Sequence, residues 1–247
     1  MTNILQKILV AVSVIAVIYF NYLATTGAIG GTTPEVISDK YPTFLTPAGY
    51  TFTIWGLIYV GILSFAVYQF FRTEPDALNQ IRALFILSCA ANIAWIFAWH
   101  NEYIGLSVIA IVILLISLAL INVKAFKLSD AKDSFFVKFP FSLYFGWVSV
   151  ATVLNILVFT ASLGYSPDYT VLTITSVILI AAVTIIGFIV REKLNIPFYS
   201  LAIAWAMTGI AVKQSGKTAV VLACAFATMA MIFSSLTFIL KEHKKLK

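Results

Sequence analysis

The sequence predicts an all-α membrane protein: a polytopic helical bundle of about eight transmembrane helices with both termini in the cytoplasm. Composition, the length of the apolar runs and the placement of positive charge carry this reading. Of 247 residues, 61% are hydrophobic and only 11% are charged, against roughly 25% charged in a soluble domain. That is too little polar surface to coat a water-facing globule. Several apolar runs reach the ~20 residues that cross ~30 Å of hydrocarbon as a helix. They are not the ~10-residue alternating segments of a barrel, so each span satisfies its own backbone.

The eight predicted spans cover residues 8–24, 50–71, 83–99, 103–123, 141–161, 171–190, 197–212 and 218–240, the seventh being short. The first follows Lys7 and has the general look of a secretory signal. Its apolar stretch is long, however, and no small-x-small site closes it, which favours a retained helix. Only His100, Asn101 and Glu102 separate the third and fourth spans, a tight helical hairpin.

Positive charge tests the count. Eight spans place Lys7, Arg72, Arg82, Lys124, Lys127, Lys132, Lys138, Arg191, Lys193, Lys241, Lys244, Lys245 and Lys247 on one side, 13 of the 16 Lys and Arg residues. The other side receives Lys40, Lys213 and Lys217. The majority side is cytoplasmic by the positive-inside rule. The net charge of +6 is thereby explained by basic loops, and nucleic acid is not an expected partner. The expected partners are the lipid bilayer and a hydrophobic small molecule. Small residues at Ala202, Ala204, Ala206 and Gly209, and at Ala223, Ala225, Ala227 and Ala230, suit close helix packing within the chain, with a homodimer face as the alternative. Cys89 and Cys224 both fall in apolar helices, so no disulfide is expected.

The outer loop 25–49 is rich in Gly, Thr and Pro and has no intrinsic structure in its pattern. Its apolar members Tyr41, Phe44 and Leu45 need cover, so a lid over a site and a plain connector stand as equal readings. At the far end of the chain, Lys213 and Gln214 read as an interfacial anchor in preference to a ligand-facing pair.

Chemistry-bearing patterns are sparse. Spans two to eight hold no Asp or Glu in their central portions, which disfavours a proton pump or intramembrane hydrolase. No Ser/His/Asp set, metal-binding spacing or phosphate loop occurs, so no catalytic residue, no metal and no required cofactor is expected. What stands out is aromatic and amide groups at helical spacing: Phe52, Trp55 and Tyr59; Asn92, Trp95 and Trp99; Tyr144, Trp147, Ala151 and Asn155. Each set occupies one helix face. Amides at hydrocarbon depth require partners in the bundle interior, so the Asn92 and Asn155 faces are expected to turn inward. Trp99 and Tyr103, beside the tight turn, read better as an interfacial belt. Trp55, Trp95 and Trp147 are shared between two readings, plain packing and the wall of a cavity for a planar apolar ligand.

The run from Pro47 to Tyr59, with Trp55 eight residues after Pro47 and Tyr59 four after Trp55, resembles the TspO/MBR family of tryptophan-rich sensory or translocator proteins. Asn92 and Trp95 are similar to its Asn-x-x-Trp. Tyr144, Trp147, Ala151, Thr152 and Asn155 resemble its Tyr-x-x-Trp-x-x-x-Ala-Thr-x-x-Asn signature. The chain departs from the pattern at Ala48, where the family doubles the proline, and at Leu143, where it places one. The resemblance spans roughly residues 4–161. It implies a TspO-like five-helix body over 1–163, including the loop, and three additional helices with a basic tail over 164–247. It further implies a binding or sensory protein of the bacterial plasma membrane. Its ligand would be a hydrophobic planar molecule, a porphyrin or haem-related tetrapyrrole or a sterol-like one, and binding could be coupled to transport. Phe52, Trp55, Tyr59, Asn92, Trp95, Tyr144, Trp147, Ala151 and Asn155 would line or brace the pocket. A small-molecule transporter unrelated to tetrapyrroles is the alternative, with Gly56, Gly61, Gly146 and Gly209 as flexible or close-packing points.

Overall fold

In the computed structural model, residues 3–72 and 76–245 are described, with side chains over 4–72 and 76–237. Lys247 lies outside the described residues, as do the side chains of Lys241, Lys244 and Lys245. Among the described residues every regular element is helical. In chain order they are α1 (Asn3–Thr25), α2 (Pro34–Lys40), a 3-10 turn (Gly49–Thr53) entering α3 (Ile54–Phe71), α4 (Asp76–His100) and α5 (Ile104–Ala125). A short α6 (Ala131–Asp133) and a π turn (Ser134–Lys138) then lead into α7 (Phe139–Ser162), followed by α8 (Tyr169–Leu194), α9 (Pro197–Lys213) and α10 (Thr218–Lys245). Among the described residues, seven helical runs are long and apolar enough to cross a membrane. The eighth, α9, has 17 residues and rises ~25 Å, the short limit for a span. The chain is an integral membrane protein.

Local chemistry sets the helix ends. Asp168 caps α8 by accepting from the Val171 N–H at 2.9 Å, and Asn195 ends it in the left-handed conformation, φ 60°. Pro197 opens α9, where its missing N–H costs nothing. The hairpin between α4 and α5 turns on Glu102, φ 58°, whose carboxylate holds Lys40.

The helices form two compact units, Met1–Lys40 with Ile54–Phe141, and Tyr41–Thr53 with Ser142–Lys247. This partition assigns the bulk of α7 to the same unit as α8–α10 and cuts the outer loop in two.

In the first unit α1 packs on α3 and α4, α4 pairs with α5, and α2 lies on α4. Its core centres on Phe65, Phe85 and Phe141, whose rings meet edge-on at 4.9–5.5 Å. Gly61 lets α3 approach α7, for a Cβ there would stand 2.7 Å from Pro140 Cβ. At the basic end, fully enclosed Arg82 donates to the side chains of Gln69 and Asn79 and to the Gln69 carbonyl. Gln69 in turn donates to the Lys7 carbonyl. Buried Asp133 accepts from Tyr68 Oη at 2.8 Å and from Arg72 at 3.2 and 3.0 Å. These bonds to Asp133 hold the Arg72 guanidinium above its ordinary range, against a smaller opposing effect of burial. Lys40 occupies the opposite end, bonded to Glu102. The charge sorting predicted above is thus realised here as two chemically distinct ends.

In the second unit α8, α9 and α10 pack mutually. Ala202, Ala204, Ala206 and Ala227 are buried and serve packing inside the unit, whereas Ala223 and Ala230 are half-buried and Ala225 is exposed. Gly187 has Met231 Sδ and Ile203 Cδ1 so close that a Cβ would sit 2.8 and 3.0 Å from them. Arg191, near the end of α8, reaches the Ser234 carbonyl and the Thr237 hydroxyl of α10.

Candidate functional site

The outer loop is built, not featureless. Its first half folds on the first unit: Thr26 to Gly31 turn tightly, α2 follows, and Trp99 donates Nε1 to the Pro34 carbonyl at 3.2 Å. Gly30, φ 66°, abuts the His100 backbone so closely that no side chain could stand there. Trp99 is therefore buried at 3% exposure beneath this segment, not placed in an interfacial belt; Tyr103, 63% exposed, remains outward. The sequence pattern missed this because the covering residues lie 65 positions earlier.

The second half of the loop, in the second unit, is fastened to α9. Ala48 N–H donates to the Gly209 carbonyl at 3.0 Å, and Trp205 Nε1 donates to the Thr51 carbonyl at 2.8 Å. Gln214 Nε2 donates to the carbonyls of Thr43 and Thr46 at 3.2 and 2.9 Å. The Tyr50 ring meets Trp205 edge-on. Lys217 bonds Gln214 Oε1 and stands 4.5 Å over the Phe44 ring, which also meets Tyr169. Gln214 is therefore a buried clamp on the loop backbone, which corrects its reading as an interfacial anchor.

Four of the predicted site residues lie in the first unit. Trp55 and Tyr59, half-buried on α3, stack at 5.5 Å. On α4, Trp95 stacks on Trp99 at 5.5 Å. Asn92, fully buried, accepts from Asn21 Nδ2 at 2.8 Å. That contact supplies the interior partner which an amide at this depth requires, and it comes from α1, where Asn21 was not singled out. Asn21 also donates to the Val17 carbonyl.

Five lie in the second unit. Phe52, on the 3-10 turn, meets Trp147 of α7 edge-to-face, centroids 5.9 Å apart at 80°. Tyr144, Trp147 and Asn155 are buried, and Ala151 is half-buried on the same helix. Gly146 sets this helix directly on the backbone of α9 at Tyr199, where a Cβ would stand 2.8 Å from Ala202 Cβ. Tyr199 runs along α7, its ring 4.8 Å from Phe145 and its hydroxyl donating to Ser149 Oγ at 3.0 Å.

The glycines divide accordingly. Gly61, Gly146 and Gly209 are close-packing points, whereas nothing approaches the Cβ position of Gly56. An open apolar groove of about 590 Å³ lies on the α4–α5 hairpin, among Leu87, Ala90, Ala94, Phe97, Leu106 and Ile109. None of the nine predicted residues lines it. Its sequence signal is the alanine spacing of four along α4.

The predicted site residues offer flat aromatic faces, phenols and neutral amides. Among the described residues no three His, Cys, Asp or Glu side chains gather as a metal group.

Neither the curated proteins nor the solved structures hold a match to the chain. The family model of TSPO-like proteins matches residues 7–238. The match extends past the motif-bearing stretch 4–161 and takes in α8, α9 and most of α10. With that coverage, the chain belongs to the TSPO-like protein family, integral membrane proteins of the binding and transport kind.

Proposed function

We propose that the protein binds a large, planar, hydrophobic ligand of the porphyrin or sterol-like class in the plasma membrane, and that binding serves sensing or transport. The observation that carries this reading is the state of the motif aromatics. In the first unit Trp55 pairs with Tyr59 and Trp95 with Trp99, with Asn92 buried on α4; in the second Phe52 pairs with Trp147, with Asn155 buried on α7. Stacked and edge-on rings of this kind are worth about 0.5–1.5 kcal/mol each beyond the area they bury, and a planar guest can exchange for such contacts at little cost. The amides fix geometry; no acid or base is assigned.

The test is a titration of purified protein with protoporphyrin IX followed by tryptophan fluorescence. Saturable quenching that falls in a Trp55→Phe plus Trp147→Phe variant is expected. Quenching that never saturates, or that the double variant leaves unaltered, overturns the proposal. The alternative is a small-molecule transporter unrelated to tetrapyrroles. Substrate flux in proteoliposomes without porphyrin quenching would select that reading.

A further inference from the structure

We infer that α9, which lies outside the motif-bearing helices, is the template that positions the Phe52–Trp147 part of the ligand site; this rests on the binding role proposed above. The residue next to each of those aromatics is seated on α9. Thr51, which precedes Phe52, packs on Gly209 so tightly that a Cβ at 209 would overlap its hydroxyl and stand 2.7 Å from its Cγ2. Its carbonyl is held by Trp205. Gly146, which precedes Trp147, lies on Tyr199 and Ala202. Tyr199 holds the following turn through Ser149.

The two seats are ten residues apart on one rigid helix, about 15 Å at 1.5 Å per residue. The chain positions they bring together are separated by 95 residues, yet the two rings meet at 5.9 Å. Neither ring is fixed by its own element alone. The 3-10 turn is a short element, and four bonds at or just before it, made by Ala48, Thr51, Thr43 and Thr46, hold it to α9 and the Gln214 that caps that helix. Tyr199, Trp205, Gly209 and Gln214 are thus positioning residues. Tyr199, Trp205 and Gly209 act through Gly146 and Thr51, and Gln214 through the loop backbone at Thr43 and Thr46, on the rings proposed to meet the ligand.

The experiment uses the full chain labelled with 5-fluorotryptophan. The Trp147 fluorine line is assigned by Trp147→Phe, and protoporphyrin IX is the probe. Gly209→Ala pushes Thr51 away. It is expected to shift the Trp147 line and weaken probe binding by about tenfold, the loss of one good ring contact. Adding Thr51→Ala removes most of the colliding atoms and is expected to restore both readouts, a coupling that general destabilisation would not produce. Trp205→Phe, which keeps an aromatic side chain but loses the indole N–H that holds the Thr51 carbonyl, gives a smaller shift in the same direction and serves if Gly209→Ala does not fold. A folded Gly209→Ala protein with an unmoved Trp147 line overturns the inference. So does failure of the Thr51→Ala addition to reverse the shift. If the line moves and reverts while neither wild type nor variants bind the probe, the template stands and the proposed ligand class falls.

Discussion

Asp133 lies outside the aromatic motifs, and its removal should be damaging to the fold. Its carboxylate is fully enclosed, accepts from Tyr68 at 2.8 Å and from Arg72 at 3.2 and 3.0 Å, and so ties the end of α3 to the start of the helical run Ala131–Ser162. Breaking a buried pair by removing one partner costs about 3–5 kcal/mol because the other charge is stranded. Here the stranding is partial. Arg72 is 26% exposed and has Asp130 at 3.6 Å as a second carboxylate, so about 2–3 kcal/mol is the working figure for Asp133→Ala. Asp133→Asn keeps one acceptor oxygen and loses the charge, and should cost about half as much. Tyr68→Phe deletes one hydrogen bond to a charged group, about 1–2 kcal/mol. Reversible unfolding in mixed detergent–SDS micelles measures all three. If Asp133→Asn proves as damaging as Asp133→Ala, or if Asp133→Ala costs under about 1 kcal/mol, the enclosed ion pair is not the pin described here.

Two further outcomes follow from the packing. Gly61→Ala should destabilise by about 1–3 kcal/mol through overlap with Pro140, whereas Gly56→Ala on the same helix, with open space at its Cβ, should be neutral or stabilise by up to about 1 kcal/mol; parallel unfolding curves compare them, and equal effects would contradict the close approach. Asn92→Leu and Asn21→Leu, combined in a double-mutant cycle, should show a coupling of about 0.6–1.7 kcal/mol, the range of interhelical bonds in membranes; additive losses would mean that the two amides do not depend on each other.

Much of the fold is legible in the sequence because a bilayer simplifies the problem. Spans must be helical and apolar, and their ends are marked by charge. The predicted 141–161 became α7, Phe139–Ser162, and 197–212 became α9, Pro197–Lys213. Amide burial was legible too: Asn92 and Asn155 are 0% and 2% exposed. Partners were not. Asn21 bonds Asn92 across 71 positions, and Trp205 bonds Thr51 across 154. Helical periodicity reports which face is special, but it carries no term for which distant element meets that face. Trp99 shows the same limit: next to a turn it reads as a belt residue, and only the Pro34 carbonyl above it says otherwise.

The loop 25–49 illustrates why α9 is needed at all. Between α2 and the 3-10 turn, residues 41–48 have backbone N–H and C=O groups with no helix of their own to satisfy them, and burying such groups unpaired costs several kcal/mol in an apolar setting. Thr43, Thr46 and Thr51 are all under 9% exposed, so their carbonyls cannot rely on bulk water. The side chains of Gln214 and Trp205, and the Gly209 carbonyl, supply the missing partners. Gly209 in particular has to be glycine for Thr51 to come within reach. A helix that satisfies a loop's backbone also fixes where that loop delivers its next residue, and here the next residue is Phe52. The same bonds that remove a solvation penalty from residues 43–51 therefore decide the geometry of the aromatic pair. This is why a substitution on α9, in contact with neither ring, is expected to register at Trp147.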